Sequence, residues 1–337
     1  MPKSVILRSI VHPLESYLHE LDMIRASGAG VPETSGYGAL ATLLNAVGGT
    51  LKPKVRCVIN LHNQGAGLPD GGLFTADQFQ KGIDLEPLPG QLPGRGAIEV
   101  KSVAADLDQL AASEQVAKYL VKYGQMLVTN YREFLLVTQG PGGKPTPGER
   151  YRLAESETAF WAAAAHPHKT AAERGERLIE YLKRAMLHSA PLTAPADLAW
   201  FLASYARDAH ARVDAQADLP ALASLRTAME NALGMAFQGP EGEHFFRSTL
   251  VQTLFYGVFA AWVLWHKENP ERIDRFDWRL TQYYLNVPVI QALFQQIAGP
   301  GNLRDLGLIE PLDWAGATLN RVDRAAFFAK FEEAHAV

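Results

Sequence analysis

The run Gly96-Ala97-Ile98-Glu99-Val100-Lys101 reads as a short strand that ends on two charges. Side chains alternate across a strand, so Glu99 and Lys101 share one face and Val100 takes the other. Further upstream, Pro69-Asp70 sits beside a second strand-like run. A Pro/Gly-rich stretch separates the two pieces and reads as an excursion between neighbouring strands. Two carboxylates and one lysine gathered at a sheet edge suit a hard divalent cation and a water beside it, the combination that phosphodiester hydrolysis needs.

The surrounding pattern predicts an α/β layer. Helices are expected at 13–27 and 33–46, the latter with Leu40, Leu43, Leu44 and Val47 at helical spacing. Strands are expected at 55–61, 72–74 and 96–101. The segment 85–96 carries Pro87, Pro89 and Pro93 and is expected to be a loop. A helix over 106–123 and strands at 125–129, 133–138 and near Tyr151 complete a mixed sheet flanked by helices. From there the chain is Ala/Leu-rich, with helices expected at 158–165, 172–189, 195–216, 220–234, 245–265, 278–285, 288–297 and 324–334. The expected domains are therefore 1–153, α/β, and 154–337, all-α.

The bulk composition narrows the classes. The chain has 337 residues with a net charge of −4, too acidic for a basic nucleic-acid coat, though a local positive groove remains compatible with it. The single cysteine, Cys57, lies in an apolar run and reads as a core thiol, so disulfide frameworks and cysteine zinc sites are excluded. His166-Pro167-His168 is the one close histidine pair, and its proline breaks metal-ligand spacing. No nucleophile elbow and no Walker-type Gly-Lys-Ser/Thr is present. The apolar run from Leu250 to Trp265 is short of a membrane span and reads as a buried helix, with Trp262 and Trp265 in its core. Met1-Pro2-Lys3 opens no signal peptide, and a cytoplasmic protein without a membrane partner is expected.

Several segments resemble a known family, the PD-(D/E)XK nucleases. The match is to the nuclease that opens single-chain restriction–modification enzymes of the type IIG and type ISP kind. The matching pieces are Glu33-Thr34-Ser35, Leu68-Pro69-Asp70, Ala97-Ile98-Glu99-Val100-Lys101, Ser113-Glu114-Gln115-Val116-Ala117-Lys118-Tyr119 and Leu127-Val128-Thr129-Asn130-Tyr131-Arg132-Glu133-Phe134. The Gln115-x-x-x-Tyr119 spacing is similar to the helix signature of one subgroup. In the second half, Gln252-Thr253-Leu254-Phe255-Tyr256-Gly257-Val258-Phe259-Ala260-Ala261 and Leu319-Asn320-Arg321-Val322-Asp323-Arg324-Ala325-Ala326-Phe327-Phe328 resemble the helical spacer of these enzymes.

The resemblance implies a nuclease-like α/β domain followed by a helical connector, acting as a DNA endonuclease. Asp70, Glu99 and the Val100 carbonyl would ligate Mg²⁺, for which Mn²⁺ would substitute. Lys101 would orient a water and offset charge at the phosphate. Glu33 would add a further acid and Gln115 a hydrogen bond toward the site, with Tyr119 packing beside it. The partners would be double-stranded DNA, an adenine-N6 methyltransferase and a target-recognition module, in the same full-length chain or in a partner chain. The methyltransferase, with its S-adenosylmethionine, is absent here: the chain has no Asn-Pro-Pro-Tyr tetrapeptide and reads as the front end of a larger enzyme or a split subunit. Lys183 and Arg184 are candidates for DNA-backbone contact from the helical half. Two rival readings stay open, an idle nuclease-fold scaffold that binds DNA or partner domains, and a helical interaction protein with incidental acids.

Overall fold

The protein is described by a computed structural model covering residues 11–31, 33–61, 67–80, 83–216, 219–268 and 274–335. The residues Met1-Pro2-Lys3 lie outside it. The chain divides into two compact units, Met1–Ala190 and Pro191–Val337.

The first unit carries helices α1 (Pro13–Ala26) and α2 (Tyr37–Gly48), then strands β1 (Val55–Ile59) and β2 (Gly71–Thr75). A small hairpin follows, β3 (Phe79–Gln80) and β4 (Ile83–Pro87), and then β5 (Ala97–Val100). Next come α3 (Leu107–Ala111), α4 (Glu114–Tyr123), β6 (Gln125–Thr129), β7 (Glu133–Gln139) and β8 (Pro145–Arg152). Helices α5 (Glu157–Ala164) and α6 (Pro167–Leu187) close the unit. The main sheet has the order β1-β2-β5-β6-β7-β8, with β5 and β6 parallel and the other neighbours antiparallel.

Strand alternation decides what each face buries. Ile98, Val100, Leu127, Phe134 and Leu136 join one core with Leu14, Leu18, Leu40, Leu44 and Leu182 from α1, α2 and α6. Ala97, Met126, Val128, Leu135 and Val137 face the other way, against Leu107, Val116 and Leu120 from α3 and α4. The result is a mixed six-stranded sheet between two helical layers, with both sheet faces apolar. Glu99 falls on the α4 side by its position in the alternation, in a strand whose other residues are all apolar and buried.

Three expectations are corrected. The break between the units falls after residue 190, not 153, because α6 packs on α1 and β8 and contributes Leu178 and Leu182 to the first core. The expected helix over 106–123 is two helices: Ser113 Oγ accepts the Val116 N–H as an N-cap, so α4 starts afresh. The expected loop over 85–96 begins in β4, where Pro87 is tolerated as the last residue of an edge strand paired with Phe79. Gln78 ties the remainder of that segment down, donating to the Leu92 carbonyl at 2.6 Å and accepting the Gly94 N–H at 3.0 Å.

The second unit is helical: α7 (Pro195–Asp214), α8 (Pro220–Leu233), α9 (Gly239–Glu268), α10 (Thr281–Tyr284), α11 (Pro288–Ile297), α12 (Pro300–Asp305), α13 (Ile309–Leu319) and α14 (Arg324–His335). Helices α12 and α13 lie where the sequence pattern predicts none. By length and composition alone α9 could cross a membrane, and half of its apolar window is buried within the fold. It packs on α7, α10 and α11, with Leu250, Leu254, Val258 and Trp262 fully covered. Trp262 stacks on Phe328 at 5.2 Å between ring centroids.

Candidate functional site

The register of β2 on β5 brings the acids together. Gly71 pairs with Ile98 and Gly72 with Ala97, so one step further along the ladder sets Asp70 beside Glu99. Asp70 Oδ2 accepts the Val100 N–H at 2.7 Å, and its Oδ1 accepts the Tyr37 hydroxyl at 2.5 Å. The Asp70 carbonyl takes the Asn60 N–H at 2.7 Å, which fixes the backbone at the mouth of β1 and β2.

Glu99 is 1 % exposed. Its Oε1 accepts from Lys101 Nζ at 2.9 Å and from Gln115 Nε2 at 2.9 Å. Its Oε2 is buried and has no hydrogen-bond partner. Gln115 lies on α4 one turn before Tyr119, whose hydroxyl stands 3.3 Å from Gln115 Nε2. Lys101 Nζ also reaches Glu33 Oε1 at 2.9 Å and the Val100 carbonyl at 3.2 Å. All six site residues expected from the sequence, Asp70, Glu99, Val100, Lys101, Glu33 and Gln115, therefore form one connected cluster.

Electrostatics follow from three carboxylates and one ammonium, which bonds two of them. Burial pushes the Glu99 carboxyl up to about 7, the neighbouring Asp70 and Glu33 charges push the same way, and Lys101 opposes them. Burial works against the Lys101 charge, but its hydrogen bonds to Glu99 and Glu33 outweigh that and lift its pKa. The Tyr37 hydroxyl is raised by burial and by its bond to Asp70.

A buried carboxylate oxygen without a partner, inside a net-negative cluster, is an open position for a cation. The available donors are all oxygen, from Asp70, Glu99 and the Val100 carbonyl, the set that a hard divalent ion takes. Among the described residues no group of three or more His, Cys, Asp and Glu side chains forms a metal cage. An ion here would draw on two carboxylates and one main-chain oxygen, with the rest of its shell from water or a phosphate.

The sequence reading missed two tyrosines. Tyr37 bonds Asp70, and Tyr131 donates to the Glu33 carbonyl at 2.5 Å while its own carbonyl accepts from Tyr17 at 2.8 Å. Tyr131 adopts φ 69°, rare for a bulky residue, in the tight turn between β6 and β7. The start of α2 accommodates its ring only because residue 36 is glycine: a Cβ there would sit 2.6 Å from the tyrosine ring.

Other sequence candidates fall away from the site. Arg184 is 3 % exposed and its Nε bonds Glu149 Oε2 at 2.8 Å, so it is an interior ion pair of the first unit and not a DNA contact of a helical half. Lys183 leans on Glu180 at 3.9 Å. His168 pairs with Glu15 at 3.2 Å, and among the described residues no metal cluster includes it. Cys57 is buried, and burial pushes its thiol up to about 12. In the second unit His210 contacts Asp214 at 2.9 Å and Ser248 Oγ at 3.2 Å. Ser248 sits inside α9, where the helix consumes the main-chain N–H groups around it.

Comparison with known proteins gives little. No protein-family model matches the chain, and no curated protein matches it. A DrdV–DNA complex determined by cryo-electron microscopy shows a weak likeness, with 17 % identity and a TM-score of 0.30 over 93 % of this chain and 27 % of that one. This chain spans about a quarter of the length of that neighbour.

Proposed function

We propose that this chain is the Mg²⁺-dependent nuclease portion of a restriction–modification enzyme, with a PD-(D/E)XK-like fold, hydrolysing phosphodiester bonds in double-stranded DNA. One observation carries the reading: the β2–β5 register joins Asp70 to Glu99, with Lys101 bonded to Glu99 and the buried Glu99 Oε2 left open. The sequence resemblance set out above supports the same assignment.

Asp70, Glu99 and the Val100 carbonyl would hold the ion, and Mn²⁺ would substitute for Mg²⁺. The ion would supply Lewis acidity, lowering the pKa of a nearby water and screening phosphate charge. Gln115 holds Glu99 Oε1, which would leave Oε2 for the ion. Lys101 is a compact ammonium at the edge of the cluster, placed to offset negative charge that develops on the phosphate. Glu33 completes the acid ring from the residues before α2. Target recognition, and adenine methylation with S-adenosylmethionine, would belong to a further part of the same full-length chain or to a partner chain.

The test is plasmid cleavage with Mg²⁺ or Mn²⁺, first by this chain and then by the full-length enzyme. Slow nicking without clear sequence preference is expected from this chain alone. Asp70→Ala and Lys101→Ala should abolish cutting by the full-length enzyme while leaving the far-UV spectrum unchanged. Cleavage retained by both variants would overturn the assignment.

A further inference from the structure

We infer that Tyr37 is a positioning residue for the cation site: its hydroxyl fixes the Asp70 carboxylate so that a defined oxygen edge faces the ion. The inference rests on the nuclease reading above, because it presumes that Asp70 is a ligand.

A free aspartate side chain rotates about two bonds and presents any lone pair to solvent. Asp70 is held at both oxygens. The Val100 N–H takes Oδ2 at 2.7 Å, and the Tyr37 hydroxyl takes Oδ1 at 2.5 Å. The first donor comes from β5 and the second from α2, so the plane of the carboxylate is set by two different elements. Each oxygen retains acceptor capacity beyond the one bond it makes. Outer donors of this kind commonly set ligand orientation, and their loss costs about 10- to 100-fold in metal affinity.

Tyr37 is itself held. It opens α2, whose Leu40, Leu43 and Leu44 are buried in the first core, so the ring has no freedom to follow a displaced carboxylate. Glu33, four residues earlier, is anchored through its main chain by Tyr131. The same short segment thus brings one acid to Lys101 and one hydroxyl to Asp70. Phenylalanine at 37 keeps the ring and removes only the bond.

Mn²⁺ affinity of the full chain tests this, measured calorimetrically beside the melting temperature for wild type, Tyr37→Phe, Asp70→Asn and the double variant. Tyr37→Phe should weaken Mn²⁺ binding about 10- to 100-fold, and the double variant should bind no more weakly than Asp70→Asn alone. Strictly additive losses would overturn the inference, because Tyr37 would then act elsewhere. Unchanged affinity in Tyr37→Phe with a loss in Asp70→Asn would overturn it while leaving the nuclease reading standing. Unchanged affinity in both would remove that reading and this inference together. The cycle reads coupling on affinity, so it decides the question even if Tyr37→Phe lowers the melting temperature.

Discussion

Lys101 and Glu99 sit two residues apart on one face of the chain, with Nζ 2.9 Å from Oε1, and Lys101 is the cationic partner of a carboxylate that is 1 % exposed. Its ammonium also bonds Glu33, so one cation serves two acids from different elements. Replacing it with methionine keeps the stem and removes the charge. If the proposed nuclease function holds, Lys101→Met should reduce DNA cleavage about 100- to 1,000-fold. Lys101→Arg should not restore it, since a planar guanidinium cannot occupy the place of a compact ammonium between two carboxylates. Single-turnover cleavage rates check both.

Glu99 links stability to pH. Its carboxyl titrates near 7 in the fold, against an ordinary value of 4.5. The folded chain therefore holds this proton over a window where the unfolded chain has lost it. Stability from this group is greatest below that window, falls as pH rises from 4.5 to 7, and is level above. The loss amounts to up to about 3 kcal/mol. Glu99→Gln should flatten this fall and melt higher than wild type at pH 8 without added metal. Mg²⁺ should raise the melting temperature of wild type at pH 8 and leave that of Glu99→Gln nearly unchanged. Thermal melts between pH 4.5 and 8, with and without Mg²⁺, decide it.

Asn45 guards the outer edge of β1. Its Oδ1 accepts the Cys57 N–H at 2.9 Å and its Nδ2 donates to the Cys57 carbonyl at 3.2 Å, so a side-chain amide bonds the strand as a further strand would. Asn45→Ala should cost roughly 0.5–1.5 kcal/mol for each bond lost, since water can reach this edge. It should also increase light scattering on storage as the edge becomes free to pair. The Cys57 thiol, pushed up to about 12 by burial, should resist a disulfide reagent at pH 8 in wild type and react measurably faster in Asn45→Ala. Equal thiol rates in the two proteins would contradict this account.

Arg184 and Glu149 form an interior pair. Arg184→Met removes a 2.8 Å charge-assisted bond from a buried carboxylate and should destabilise the first unit, by up to about 3–5 kcal/mol. Adding Glu149→Leu should recover most of the loss. DNA affinity of the folded double variant should match wild type, because Arg184 is covered. Denaturant melts and a DNA-binding titration measure the two parts.

Much of the candidate cluster was legible from the order of its pieces and from the family resemblance, although each piece alone is a weak pattern. Glu99 and Lys101 follow an apolar strand, Asp70 follows a turn proline, and the alternation in β5 gives their faces without any knowledge of the fold. Gln115 was legible only through the resemblance of its spacing to Tyr119 to a family helix signature. Tyr37 and Tyr131 were not, because an aromatic at the start of an apolar helix, or in a turn, reads as core until its hydroxyl is seen to reach an acid. The division at 190 was hidden as well. Helices α5 and α6 have the same Ala/Leu texture as the helices after them, and only packing assigns them to the sheet. Arg184 shows the opposite failure: a basic residue on an amphipathic helix reads as solvated, and its covering partner lies on β8, far away in sequence.

The pairing of β2 with β5 carries a temporal consequence. Asp70 immediately precedes β2 and Glu99 lies in β5, Glu33 and Tyr37 belong to a helical layer on one side of the sheet, and Gln115 belongs to the layer on the other. A chain with the α2 layer undocked keeps Glu33 from Lys101 and Tyr37 from Asp70, and one with α4 undocked keeps Gln115 from Glu99, so the connected cluster exists only when both layers are in place. Whatever this cluster does, it can begin only after the first unit has finished assembling.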